Sequence, residues 1–224
     1  MVILPIISFF YATPTSESTE NPKLSESGKV VFQIFLLIFQ LAFVFVLLII
    51  FPILWYFIVN KCNFKEIISR LKLRLENLDK AFLWAALSVF LMFAVSITIG
   101  FLLTKMGVAG KDQGNLQDLE KYFSPVTLLI LLAIQPTTEE IFFRGFLLDK
   151  IRSFGGDYMA IVLTGLLFGL AHLSYGKISP AIVITPVGFI LAYIVIKTKS
   201  LYSAIFAHTA FNLIVFIFSI LPNS

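Results

Sequence analysis

The sequence predicts an all-α fold: a polytopic membrane helix bundle of about six transmembrane helices, with a basic amphipathic helix at the membrane interface. Three observations carry that reading. Hydrophobic residues supply 58% of the 224 positions and charged residues only 13%, with a mean hydropathy of +0.94, a balance foreign to a water-facing domain. Apolar runs recur at close to the ~20 residues that a helix needs to cross a bilayer. Lysines and arginines collect between those runs, where they set topology and meet lipid headgroups.

In chain order, residues 1–12 (M-V-I-L-P-I-I-S-F-F-Y-A) are apolar but too short to cross. Lacking a basic n-region, they read as retained rather than as a cleaved signal. Residues 13–29 are rich in Ser, Thr, Glu and Pro and read as a flexible polar tail. Val30–Val59 is the first span, with Pro52 as its expected kink. Between Asn63 and Lys80, Phe64, Ile67, Ile68, Leu71, Leu75 and Leu78 fall at helical spacing opposite Lys65, Arg70, Lys72 and Arg74, which predicts the interfacial helix. The second span is Ala81–Thr104, the third Ser124–Ile151, the fourth Tyr158–Ser174, the fifth Ile178–Ile196 and the sixth Leu201–Leu221. Pro180 and Pro186 are expected to bend or break the fifth. The chain thus divides into an N-terminal stretch and tail (1–29), N-terminal spans with the interfacial helix (30–119) and a membrane core (120–224).

With six spans, ten loop lysines and arginines fall on one side against six on the other, which places both termini outside. The net charge of +4 belongs to these loops, and no basic stripe calls for nucleic acid. A single cysteine, Cys62, excludes an intrachain disulfide and a cysteine-rich metal site. No internal repeat is visible, which counts against an inverted-repeat transporter.

Pro136–Gly145 (P-T-T-E-E-I-F-F-R-G) interrupts the third span with three charges. An ionised side chain near the bilayer centre costs roughly 2.5–3.5 kcal/mol, while each flanking Leu, Ile or Phe returns only about 0.3–0.6 kcal/mol. Such charges must pair or face a polar cavity. Glu140 and Arg144 are i,i+4 and share a helical face, so they are expected to pair and support the site; Glu139 points elsewhere and is left for chemistry. The rival reading is a helix start, since Thr137-x-x-Glu140 matches a capping box behind Pro136.

Both histidines fall inside spans. His172 follows Gly165 and Gly169, which would let a neighbouring helix approach closely. His208 and Asn212 are i,i+4 on one face of the sixth span. Counted from the basic side, Glu139, His172 and His208 lie roughly 12–21 Å deep, a common zone near the midplane. This inventory fits amide hydrolysis. Glu139 and His172 would activate and orient water, and His208 with Asn212 would meet the developing oxyanion. No Ser/His/Asp set, Cys/His pair or H-E-x-x-H is present.

E-E-x-x-x-R (Glu139, Glu140, Arg144), F-x-x-x-H (Phe168, His172) and H-x-x-x-N (His208, Asn212), in this order, resemble the CAAX protease and bacteriocin-processing (CPBP, or Abi) family, which includes type II CaaX prenyl endopeptidases. The resemblance covers about residues 120–221. It implies an intramembrane endopeptidase of a prokaryotic cell membrane, acting on a membrane-associated peptide or protein, with prenylated CaaX-type C-termini as one substrate class. It also implies that the first glutamate and first histidine activate water while the second histidine and the asparagine form an oxyanion hole. Members are often labelled metalloproteases, and two histidines with a glutamate make an acceptable zinc set. Glu139 would then serve as both ligand and base, so a metal-free mechanism without cofactor is the expectation and zinc the rival. The rival function is a non-catalytic membrane scaffold or bacteriocin-immunity protein on the same fold.

Overall fold

The computed structural model describes residues 26–73, 75–76, 78–108, 124–173 and 178–220. The expected apolar stretch 1–12, most of the polar tail and most of the loop before the third span lie outside them. All regular structure among the described residues is helical.

Helix α1 (Glu26–Phe45) starts four residues before the expected span. It continues through two wider π-helical turns, Val46–Ile50 and Trp55–Val59, on either side of Phe51–Leu54. Pro52 sits between those turns, where i→i+5 pairing accommodates a residue that can neither donate nor fit its ring against the preceding turn. Helix α2 (Phe64–Arg70) is the interfacial helix, closed by a capping box in which Asn63 and Glu66 exchange backbone and side-chain bonds of 2.8 and 3.0 Å. It ends well short of the expected Lys80. Lys72 takes a left-handed φ of 57°, and its carbonyl accepts the Leu201 N–H at 3.0 Å. This draws the segment beneath the bundle. Ile67 and Leu71 are buried there, while Phe64 and Leu75 of the same apolar stripe stay exposed.

Helix α3 (Leu78–Lys105) turns one apolar face, including Phe82, Phe90 and Phe101, outward, as a lipid-facing helix does. Helix α4 (Pro125–Glu140), capped by Ser124, opens into π-helical turns over Ile141–Leu147 and continues as α5 (Leu148–Leu170). Helices α6 (Ser179–Thr198) and α7 (Leu201–Ile220) complete the bundle. Among the described residues, five helical runs are long and apolar enough to cross, and one of them, Pro125–Leu170, is 46 residues long. That run holds a break: Gly156 has φ 72° and ψ −177°. Phe143 and Phe168 rings lie 5.1 Å apart, although 25 residues of straight helix would separate them by roughly 37 Å. The chain therefore reverses at Gly156, and five helical runs make six passes.

Contacts at one end of the bundle agree with that topology. Tyr56 donates to Asp149 at 3.0 Å, Lys150 to Asn60 at 2.6 Å, and Lys72 meets Leu201. The first, third and fifth connections, all basic, thus lie together.

The tightest helix pair is α5 with α6. A Cβ on Gly165 would overlap the Phe189 ring, one on Gly169 the Thr185 side chain, and one on Gly188 would lie 2.9 Å from the Gly165 Cα. The expected close approach at Gly165 and Gly169 forms, with Gly188 as its counterpart. That packing also explains why α6 does not break at its prolines. Pro180 occupies the first turn, where no N–H is needed, and Pro186 is carried inside a continuous helix. Packing along α5 outweighs the one backbone bond that Pro186 removes.

Candidate active site

The helix that carries Glu139 and Glu140 begins at Pro125, about four turns upstream, so neither glutamate caps a helix start. Both are buried, at 3% and 0% exposure, as are Arg144 at 0% and His208 at 4%. Adjacent residues on a helix diverge by about 100°, and the two carboxylates meet different partners.

Glu140 is fully engaged on one oxygen. Its Oε1 accepts Arg144 Nη1 at 2.7 Å and faces His208 Nδ1 at 2.8 Å. Arg144 spends a second donor, Nη2, on the Gly188 carbonyl at 3.1 Å, and its guanidinium lies 4.1 Å from the Phe168 ring centroid. The Glu140–Arg144 pairing read from spacing is present. The structure adds that α4, the π-helical turn, α5, α6 and α7 all converge on this ion pair, through Glu140, Arg144, Phe168, Gly188 and His208. A Cβ on Gly188 would meet Gly165 and the Phe168 ring, so glycine there serves the close approach of α5.

Glu139 is held differently. Gln135 Nε2 donates to its Oε1 at 2.7 Å. Its Oε2 stands 3.9 Å from His208 Nε2, beyond a direct hydrogen bond, and accepts none from the described residues. His208 thus lies between the glutamates, one ring nitrogen toward each.

Tautomers follow from the partners. A carboxylate that already accepts from Arg144 can only accept again, so His208 Nδ1 carries a proton toward Glu140. His172 closes the C-terminal turn of α5, where its Nδ1 faces the Phe168 carbonyl at 2.7 Å. A carbonyl only accepts, so that nitrogen is protonated and His172 Nε2 presents its lone pair. The Phe168 ring sits between the histidines, 4.6 Å from His172 and 5.6 Å from His208 by ring centroids. Asn212 is half-buried on α7, one turn beyond His208. The structure brings Arg144, His172 and His208 around Phe168 and sets Glu139 and Glu140 against His208, with Asn212 at the same helical face as His208.

Two participants go unnoticed by motif reading. Gln135 precedes Glu139 by the same four residues that separate Glu140 from Arg144, so spacing alone could have found it. Phe168 is visible in the F-x-x-x-H pattern but its place beneath the guanidinium is not. Among the described residues, no three His, Cys, Asp or Glu side chains are grouped to hold a metal ion.

Residues 121–214, which contain every one of these side chains, match the family model of type II CAAX prenyl endopeptidases of the Rce1-like kind. This segment is Rce1-like. The resemblance read from the motifs is borne out by that match and by a relative from Bacillus subtilis (strain 168) named "Putative membrane peptidase YdiL", which is 25% identical over 150 residues, 66% of this chain and 60% of that protein. A second protein of the same organism, "Uncharacterized protein YyaK", is 35% identical over 102 residues, 43% of this chain and 34% of its own length. The chain therefore spans about three fifths of the first relative and a third of the second. No solved structure matches. The Rce1-like segment begins just before α4 and ends within α7, so α1–α3 stand outside the matched region. The chain is an integral, multi-pass membrane protein with an Rce1-like core.

Proposed function

We propose that this protein is an intramembrane endopeptidase that hydrolyses a peptide bond in a membrane-associated protein or peptide, with Glu139 activating water and no metal taking part. The observation that carries the reading is the unequal treatment of two adjacent buried carboxylates. One oxygen of each carboxylate carries no hydrogen bond among the described residues, but Glu140 is held by the Arg144 cation and by His208, whereas Glu139 is positioned by a neutral amide, with its second oxygen toward His208 Nε2.

A water between Glu139 Oε2 and the lone pair of His172 Nε2 would donate to both and turn its own lone pair on the scissile carbonyl carbon. As the C–O bond forms, Glu139 takes the water proton. The carbonyl becomes an oxyanion, met by Asn212 and by His208. Because His208 Nδ1 is turned to Glu140, it reaches an oxyanion only from Nε2, and only while it carries both protons. The two flanking glutamates supply countercharge for that imidazolium. Collapse of the intermediate breaks the C–N bond, and the proton on Glu139 passes to the leaving amine. Glu140 and Arg144 position His208 rather than touching substrate. The matched family model, described as type II CAAX prenyl endopeptidase, extends the reading to a prenylated C-terminus as a substrate class.

The test compares membranes of cells making the wild-type and Glu139→Gln proteins. New termini that appear with the wild type and vanish with Glu139→Gln support the peptidase. Identical termini in both, with the cellular phenotype retained, would make the protein a non-catalytic scaffold.

A further inference from the structure

Between α1 and α4 runs a groove of about 430 Å³ that opens sideways from the bundle. Ile38, Ala42 and Phe45 of α1 form one wall and Ile134 of α4 the other, with Gln135 and Thr138 at its inner edge. Its lining is apolar except at that edge. Gln135 is only 5% exposed. Its Nε2 must face Glu139, because a carboxylate accepts and cannot donate, which fixes the other end of the amide. Gln135 Oε1 is left buried without any hydrogen-bond donor. Buried acceptors of this kind are uncommon and destabilising. This one belongs to a residue that lines an open groove.

We infer that the α1–α4 groove is the lateral entry subsite for an extended, apolar segment of the peptide substrate, and that Gln135 is its positioning residue: Oε1 accepts a substrate backbone N–H while Nε2 holds Glu139. A hydrocarbon chain fits the apolar walls but has no donor for Oε1. An extended peptide has both, and within a bilayer its own N–H groups need acceptors. One amide group then links the docked strand to the carboxylate that activates water. α1 suits such an entry because it packs chiefly against α4 and the adjoining π-helical turn, and its other faces are open. The inference rests on the peptidase reading and adds where substrate enters.

The test places a benzophenone amino acid at position 38 or 42 of the Glu139→Gln protein in native membranes and identifies the adducts after illumination. The expected adduct is the same peptide that wild type cleaves, captured across its apolar segment. Lipid adducts alone would overturn the inference. Two kinetic variants on that peptide give an independent readout. Ala42→Trp and Ile134→Trp fill the groove from its two walls and leave Gln135 and Glu139 in place. Each is expected to raise KM about tenfold, the worth of one lost contact, with the smaller part of the loss in kcat. An unchanged KM in both would also overturn it. If wild type cleaves nothing, the peptidase reading fails instead, and that result is separate because it appears before any groove variant is made.

Discussion

Arg144→Met should injure the fold before it injures chemistry. The substitution keeps length and apolar volume but leaves Glu140 buried at 0% exposure, with His208 as its remaining partner at 2.8 Å. It also takes the cation from the face of the Phe168 ring and the donor from the Gly188 carbonyl. Breaking a buried pair by removing one partner costs about 3–5 kcal/mol, or two to four orders of magnitude in the folding equilibrium. Glu140→Ala should cost a similar amount, since it strands the guanidinium. The double variant Glu140→Gln with Arg144→Met removes both charges and should recover most of that stability. It should not recover activity, because His208 Nδ1 then faces a neutral amide and loses the carboxylate that orients and balances it. Unfolding in detergent micelles titrated with a denaturing detergent, followed by circular dichroism, measures the first quantity, and cleavage in liposomes the second. If both single variants unfold at the wild-type midpoint, the ion pair does not hold the bundle. If the double variant is fully active, Glu140 has no part in positioning His208.

Asn212→Ala should lower kcat by about 10²–10³ with little change in KM, the usual loss for one oxyanion donor, and Glu139→Gln should lower it further. A silent Asn212→Ala, together with wild-type activity lost to a chelator, would replace this mechanism with a zinc one. Gly169→Ala should cost about 1–3 kcal/mol, because its methyl meets Thr185 and comes 2.9 Å from the Ala181 carbonyl; it should also lower activity by shifting His172, three residues on. Unfolding midpoints and turnover measured side by side check both effects. Burial pushes the Lys72 ammonium below its ordinary value of 10.5, with Asp149 opposing the shift and Arg152 adding to it. The unfolded chain then binds the proton more readily, so the penalty is complete below the folded-state value and fades as pH rises toward 10.5. Lys72→Met should accordingly stabilise the protein by about 1–3 kcal/mol at neutral pH, with the gain shrinking in alkaline buffer. An equal gain at every pH would contradict that sign.

Local spacing carries the Glu140–Arg144 pair, the shared face of His208 and Asn212, and the close approach at Gly165 and Gly169, because each depends only on helical geometry. The reversal at Gly156 is legible too, since Gly155-Gly156-Asp157 is turn chemistry between two apolar runs. Other features need the tertiary fold. The His208–Glu140 bond joins residues 68 apart in sequence, and no periodicity links them. The early stop of the interfacial helix depends on Leu201 capturing the Lys72 carbonyl. Continuity of α6 through Pro186 depends on two glycines of a different helix. Pattern reading prices a proline by what it removes from its own helix, and it has no term for what a neighbour restores.

The division of labour between two consecutive glutamates follows from the same difference between local and tertiary information. Sequence alone separates them by direction, through the one-residue rotation of a helix. The structure separates them by their partners. Glu140 Oε1 takes a charged donor, Arg144, together with His208 from another helix. Glu139 Oε1 takes a neutral amide four residues back on its own helix. The wider π-helical turn over Ile141–Leu147 begins one residue after the pair. There Arg144 is aimed at Glu140 and Gly188 while Glu139 stays on the regular helix with Gln135. The chemistry assigned to Glu139 is therefore a property of five converging helical segments rather than of the E-E dipeptide.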